Sequence, residues 1–232
     1  MPDRNTTLQA LDKFIRVVEE LRSEHGCPWD KAQTHGSLRM QLIEEAYEAA
    51  DAMLAYHSKG EIDNLREELG DILLQVILHS VIAEEEKIFT LEDVVNEITE
   101  KMIHRHPHVF CPESLKDGVK SWEELKAEEK GHKKEDVPPL HGIPKALPAL
   151  LRSAKVQKKA AVNYHHKMEE DFSVSQVALL ASQLENVRNK EQKEKLMTSM
   201  LYHMTNIAWQ NNINLEECLM VNTDKVIEAL EP

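Results

Sequence analysis

The sequence predicts an all-α fold, and three of its features say so. Glycine is scarce, with 7 in 232 residues, and aromatic residues make up only 5%, a composition poor in turn and strand formers. Apolar residues recur at i, i+3 and i+4 along most of the chain, the repeat of amphipathic helices. Between 149 and 231 neither glycine nor proline occurs, so nothing there punctuates the helical pattern. With 41% hydrophobic and 30% charged residues, the chain reads as an ordinary globular protein of one or two domains.

The first predicted helix covers 7–24. "HGCPWDKAQT", 25–34, connects it to the next, with Gly26 and Pro28 as breakers. The second helix spans 37–57 and ends at Lys59-Gly60. The third, 61–86, opens on acidic residues that suit the positive end of a helix dipole. In "IFTLEDV", Thr90 is an N-cap with Asp93 three residues on. It starts a fourth helix over 90–105, which Pro107 and Pro112 stop. A short helix is expected at 121–130. "GHKKEDVPPLHGIPKALP" follows, polar and broken by Pro138, Pro139, Pro144 and Pro148, as a domain boundary is. Helices at 149–161, 174–189, 192–211 and 215–230 complete the chain. The expected division is a helical module over 1–130, a proline-rich linker over 131–148 and a second helical module over 149–232.

A formal net charge of −13 counts against a nucleic-acid polymer as partner, because phosphate backbones are drawn to basic faces. A small phosphorylated ligand is still compatible if a cation mediates. No GxxxxGK[ST] or GxGxxG occurs, so no glycine-rich loop cradles phosphates. The most apolar run, "ILLQVILHSVIA", is interrupted by Gln75 and His79 and is too short to span a bilayer, so no membrane partner is expected. The polar start, "MPDRNTTLQA", has no apolar core of a signal peptide. Cys27, Cys111 and Cys218 form neither a CxxC nor an even set, which suits reduced thiols in a cytoplasmic protein.

The chemistry-bearing pattern lies in "LIEEAYEAADAM", 42–53. Leu42, Ile43, Ala46, Tyr47, Ala50 and Met53 have the spacing of a core-facing stripe, yet Glu45 and Glu48 sit side by side at its edge. One such i,i+3 pair means little, since 41 acidic residues give about seven by chance. The next helix carries a second pair, Glu68 and Asp71, and continues as Leu69, Ile72, Leu73, Leu74, Val76, Ile77, Leu78, Val81 and Ile82, apolar nearly all round and expected to be buried. A short connector makes the two helices antiparallel neighbours. Counted from Gly60, Glu48 and Glu68 then lie within about 6 Å of the same level. Four carboxylates could converge there, an arrangement that requires protonation or a multivalent cation. All-oxygen ligation favours Mg²⁺ or Mn²⁺. A ferritin-like di-iron site needs Glu-x-x-His, absent from both helices. Two solvated helix edges are the competing reading.

"EEAYE" (44–48) followed by "ELGD" (68–71) resembles the EExxE…ExxD signature of the MazG family of all-α nucleoside triphosphate pyrophosphohydrolases. "GCPWDKAQT" (26–34), "LREELGDILLQV" (65–76), "RHPHVF" (105–110) and "IPKALPALLRSAKVQKKAA" (143–161) are similar to MazG segments in the same order. The resemblance implies a MazG-like helical bundle that hydrolyses a nucleoside triphosphate between its α and β phosphates with Mg²⁺. It implies Glu45, Glu48, Glu68 and Asp71 as metal ligands, with Glu44 orienting water or serving as general base. Lys101 and Arg105, one turn apart on the fourth helix, keep the family spacing and would bind the triphosphate; the plainer account is a basic helix C-terminus. Trp29 on its loop would stack on a base and Lys31 would reach a phosphate, against a purely structural plug of the bundle end. His104, His106 and His108 lack a fourth zinc ligand and fit a helix-end role better. A homodimer is the family's way of completing the pocket.

MazG proteins often carry two such modules. Here 70–83 aligns with 198–211, and 90–102 with 214–226. In that register Glu68 becomes Leu196, Asp71 becomes Ser199 and Arg105 becomes Ala229, while Lys101 stays lysine as Lys225. The EExxE helix would fall near 173–183, which has no carboxylate. The second module is therefore expected to be degenerate, serving packing or dimerisation. Two other functions stay open: a dUTPase, dCTPase or phosphoribosyl-ATP pyrophosphohydrolase on the same scaffold, and a non-enzymatic nucleotide-binding regulator.

Overall fold

The computed structural model describes residues 3–111, 138–164 and 173–231, and its regular elements there are helices: ten α-helices and one 3₁₀ turn. They fall into two compact units, one within Met1–His132 and one within Lys133–Pro232. The helix expected at 121–130 lies outside the described residues.

In the first unit α1 (Arg4–Arg22) starts earlier than its periodicity suggests, because the Asp3 side chain accepts from the Asn5 N–H and caps it. The connector to α3 contains a single helical turn, α2 (Pro28–Lys31), with Pro28 at its first position. Next, α3 (His35–Lys59) begins at a Thr34/Ser37 capping box and ends at Gly60, whose φ of 76° is the left-handed conformation that favours glycine. Helix α4 (Asp63–Glu85) returns antiparallel along it. Thr90 and Asp93 form the expected capping box of α5 (Leu91–Arg105). The ring of His106 bonds the Met102 carbonyl at 2.7 Å, and Pro107 opens one further turn, α6 (Pro107–Phe110), rather than ending helical structure.

Val18, Leu38, Ile77, Leu78 and Ile82 form the core, joined by Phe14, Ile15, Leu74, Val81 and Leu91. They come from α1, the start of α3, the second half of α4 and the first residue of α5. The other end of this hairpin, where the acidic residues lie, holds few buried apolar groups. Two expectations are corrected here. Ala46, Tyr47, Ala50 and Met53 are exposed, and Leu42 and Ile43 only half-buried; the fully buried positions of α3 are Leu38, Ala49 and Ala52. Small side chains on that line let two helix backbones pack closely, so the bulky stripe is left outside. Likewise Leu69, Leu73 and Val76 of α4 are exposed rather than buried.

In the second unit, Pro139–Gly142 form a 3₁₀ turn, Ile143 is buried, and the Lys159 ammonium donates to the Pro139 carbonyl. The described part of the proline-rich stretch is thus packed on α7 (Ala149–Tyr164). Helices α8 (Val174–Asn186), α9 (Lys190–Gln210) and α10 (Leu215–Leu230) follow, each started by a side-chain cap from Ser173, Asn189 and Asn214. Their packing includes a polar layer: the buried Gln157 amide donates to Ser153 Oγ at 3.0 Å, to the Tyr202 carbonyl at 3.0 Å and to Thr205 Oγ1 at 2.8 Å.

The turns that end α4 and α9 share one geometry. Lys87 and Asn212 both have φ of 57°, and Ile88 N–H to the Ala83 carbonyl and Ile213 N–H to the Ala208 carbonyl are both 2.9 Å. This Schellman-type closure pairs Ala83 with Ala208, where the sequence alignment pairs it with Asn211. The difference is three residues, nearly one helical turn, which apolar periodicity cannot detect. A register set by these turns would place Lys193 opposite Glu68 and Leu196 opposite Asp71.

Candidate metal and nucleotide site

Helix α3 places Gln41, Glu45 and Glu48 on successive turns of one face, and α4 places Glu68 and Asp71 opposite. One carboxylate oxygen from each of Glu45, Glu48 and Glu68 lies within 4.8 Å of the other two. Glu45 is half-buried, and partial desolvation pushes its carboxyl above the usual range; the Gln41 amide, donating at 3.4 Å, offsets part of this, while Asp71, Glu48 and Glu44 add repulsion. Glu68 is also raised, first by desolvation and then by Glu48 and Asp71. Asp71 is half-buried and stands beside this trio in charge rather than within its tightest grouping. Glu44 is exposed and outside the trio.

Among the described residues no lysine or arginine makes an ion pair with any of these four carboxylates. Mutual repulsion therefore stands without a compensating cation among the described residues. The donor set is all oxygen and all anionic, which fits a hard divalent cation. An octahedral ion at 2.0–2.1 Å holds its oxygens roughly 3–4 Å apart, so rotamer adjustments smaller than a bond length or two bring this trio into range.

Lys101 and Arg105 are half-buried on α5. Arg105 stands as far beyond the start of α5 as Asp71 stands before the end of α4, which brings the two to similar levels of an antiparallel pair. Trp29 and Lys31 lie on α2, which packs on α1; both are exposed. Sequence reasoning missed three features. Gln41, at i−4 from Glu45, was legible as a helix-face neighbour. The paired rings of His35 and His79, with Nδ1 atoms 2.8 Å apart, and the contacts of Arg22 join residues from different helices, and no spacing announces them.

Helical hairpin and carboxylate trio together define an all-α protein with an acidic cluster that could hold a metal ion. The chain belongs to the MazG family. Residues 33–110 match the MazG nucleotide pyrophosphohydrolase domain, a span that contains all four carboxylates together with Lys101 and Arg105. A Thermotoga maritima protein named nucleoside triphosphate pyrophosphohydrolase/pyrophosphatase MazG is 36% identical over 221 residues, covering 95% of this chain and 84% of that one. An Escherichia coli nucleoside triphosphate pyrophosphohydrolase is 38% identical over 158 residues, 66% of this chain and 58% of its own. The uncharacterised YabN of Bacillus subtilis is 45% identical over 148 residues, 62% of this chain; the match spans 29% of its length.

Proposed function

We propose that this chain is a Mg²⁺-dependent nucleoside triphosphate pyrophosphohydrolase, releasing nucleoside monophosphate and pyrophosphate. The observation that carries this reading is the carboxylate trio, within 4.8 Å, inside the segment that matches the family domain. Glu45, Glu48, Glu68 and Asp71 would hold the ion, with Mn²⁺ as a substitute. When bound, the cation supplies positive charge against the triphosphate and the departing pyrophosphate. Glu44, exposed one residue from the trio, orients or deprotonates the water that attacks the α-phosphorus as the bond to the bridging oxygen breaks. Lys101 and Arg105 bind phosphate oxygens, Lys31 reaches a phosphate, and Trp29 stacks on the base. Sanitising the nucleotide pool is the role we assign.

The exposed apolar residues of the hairpin, Met40, Tyr47 and Leu54 on α3 with Leu69, Leu73 and Val76 on α4, support a homodimer that covers them. The second unit we read as a degenerate copy of the first. Its helix order, its matching turn after α9 and its capped restart at Asn214 support this, as do Lys193 and Leu196 in place of Glu68 and Asp71. It would serve packing or dimerisation. Among the described residues no helix is long and apolar enough to cross a membrane, and the three free cysteines suit a reducing, cytoplasmic setting.

Product analysis tests the reading. A panel of ribo- and deoxyribonucleoside triphosphates is incubated with the chain in Mg²⁺ or in EDTA. Monophosphate and pyrophosphate, formed only with metal and lost in Glu48→Gln, are expected. Diphosphate and phosphate would refute the bond assignment, and no turnover would refute the enzyme.

A further inference from the structure

Arg22 ends α1 with its side chain only 4% exposed. A buried guanidinium is costly unless its donors are satisfied, and here they are used in two directions. Nε and Nη2 form a fork to the two carboxylate oxygens of Glu85 on α4, at 3.0 and 2.7 Å. Nη1 donates to the main-chain carbonyls of Asp30 and Gln33, the latter at 3.2 Å. Those carbonyls belong to the connector, whose one-turn α2 is far too short to persist alone.

Other contacts fix the same segment. Cys27 N–H donates to the Leu21 carbonyl at 2.7 Å. Gly26 lies against the last turn of α1, where a Cβ would overlap the carbonyl oxygens of Glu20 and Leu21. The Gln33 amide donates to the Trp29 carbonyl at 2.9 Å, and its oxygen accepts from Ser37 Oγ at 2.7 Å. The backbone of the connector is thus tied to α1 and to the start of α3, while Trp29 is 58% exposed. A large aromatic ring held out from a fixed backbone has little to lose in entropy when it stacks on a ligand. The rise along α3 from His35 to Glu45 is about 15 Å, comparable to the length of an extended nucleoside triphosphate. With phosphates at the carboxylates, a nucleotide lying along α3 would bring its base to the connector.

We propose that Arg22 is a positioning residue: braced by Glu85, it sets the shape of the Cys27–Gln33 connector and so the affinity with which Trp29 receives the nucleobase. This rests on the pyrophosphohydrolase reading above. Lysine cannot reproduce a fork and a second direction of bonding at once, so Arg22→Lys is the informative change. Glu85→Gln is the second variant, since it weakens the brace and leaves Arg22 on its two carbonyls.

The experiment is steady-state kinetics with the preferred triphosphate for the native chain, Arg22→Lys, Glu85→Gln, Trp29→Ala and the two doubles with Trp29→Ala. Arg22→Lys should raise KM about 10-fold and leave kcat within about 2-fold, as expected for loss of uniform binding. Glu85→Gln should move KM in the same direction by less. In the Trp29→Ala background neither should raise KM further, the non-additivity of residues acting through one another. A purely structural tie would instead lower the melting temperature and active fraction with KM unchanged, and that overturns the proposal. So does additivity with Trp29→Ala, or a Trp29→Ala chain with native KM; in both cases turnover leaves the enzyme reading standing. If Arg22→Lys loses its helical signal, the Glu85→Gln pair decides by the same criteria. Absence of turnover in the native chain overturns both readings.

Discussion

Replacing Glu45 by Gln should make the metal-free protein more stable at neutral pH and take away most of the stabilisation Mg²⁺ provides. Desolvation and the neighbouring carboxylates raise the Glu45 carboxyl above its ordinary value of 4.5. Between that value and the raised one, the native state binds more protons than the unfolded chain, so stability falls as pH rises through this window. Above it the penalty is fully present, and a neutral amide removes it. Metal acts in the opposite sense. An ion that binds only the folded state adds about 2.7 kcal/mol at one hundred times its Kd. For a unit of this size that is a rise in Tm of about 10 °C. If losing one of the four carboxylates weakens affinity about 100-fold, the same Mg²⁺ concentration adds only about 0.4 kcal/mol, or about 1–2 °C. Thermal melts of both proteins in EDTA and in a Mg²⁺ series, at pH 5 and 7.5, measure all of this. An undiminished Mg²⁺ shift in Glu45→Gln, or a metal-free variant that melts below the native chain at pH 7.5, would refute the reasoning.

Three further outcomes are expected. Lys101→Ala and Arg105→Ala should each raise KM for triphosphates by about 10–100-fold with the melting temperature little changed; a loss of kcat alone would contradict their role as phosphate ligands. Leu38→Ala, at the centre of the first unit's core, should cost about 2–5 kcal/mol in denaturant unfolding, and a cost near zero would mean that this core is wrongly identified. Thr90→Ala should cost about 1 kcal/mol by removing an N-cap. Bonds from the Thr90 N–H and hydroxyl hold the Asp93 carboxyl below its ordinary value of 3.8, so their contribution is present above that pH and lost as pH falls through the lowered value. Acid titration of the variant should show a shallower decline; an unchanged acid limb would argue against the box.

Much of this protein is local, and local features are legible. The Thr90/Asp93 box, the left-handed Gly60 and the stacking of acidic pairs on one helix face depend on residues within a turn or two of each other. The meeting of Glu45, Glu48 and Glu68 was legible as well, because a short connector forces antiparallel packing and a count of residues from Gly60 sets the levels.

The sequence by itself determined an all-α chain, its caps and breaks, and which carboxylates share a level. Only the tertiary structure decided which face of α3 is buried: its apolar side chains lie on more than one face, and the choice of Ala49 and Ala52 over Tyr47 and Met53 belongs to the partner helix. The shared left-handed turns at Lys87 and Asn212 were likewise not legible, since helical periodicity repeats nearly every three or four residues and tolerates a slip of three. Arg22 is the clearest case. Its partners, at 30, 33 and 85, come together only when α1, the connector and α4 have packed, because long-range hydrogen bonds to main-chain carbonyls leave no trace in residue type or spacing.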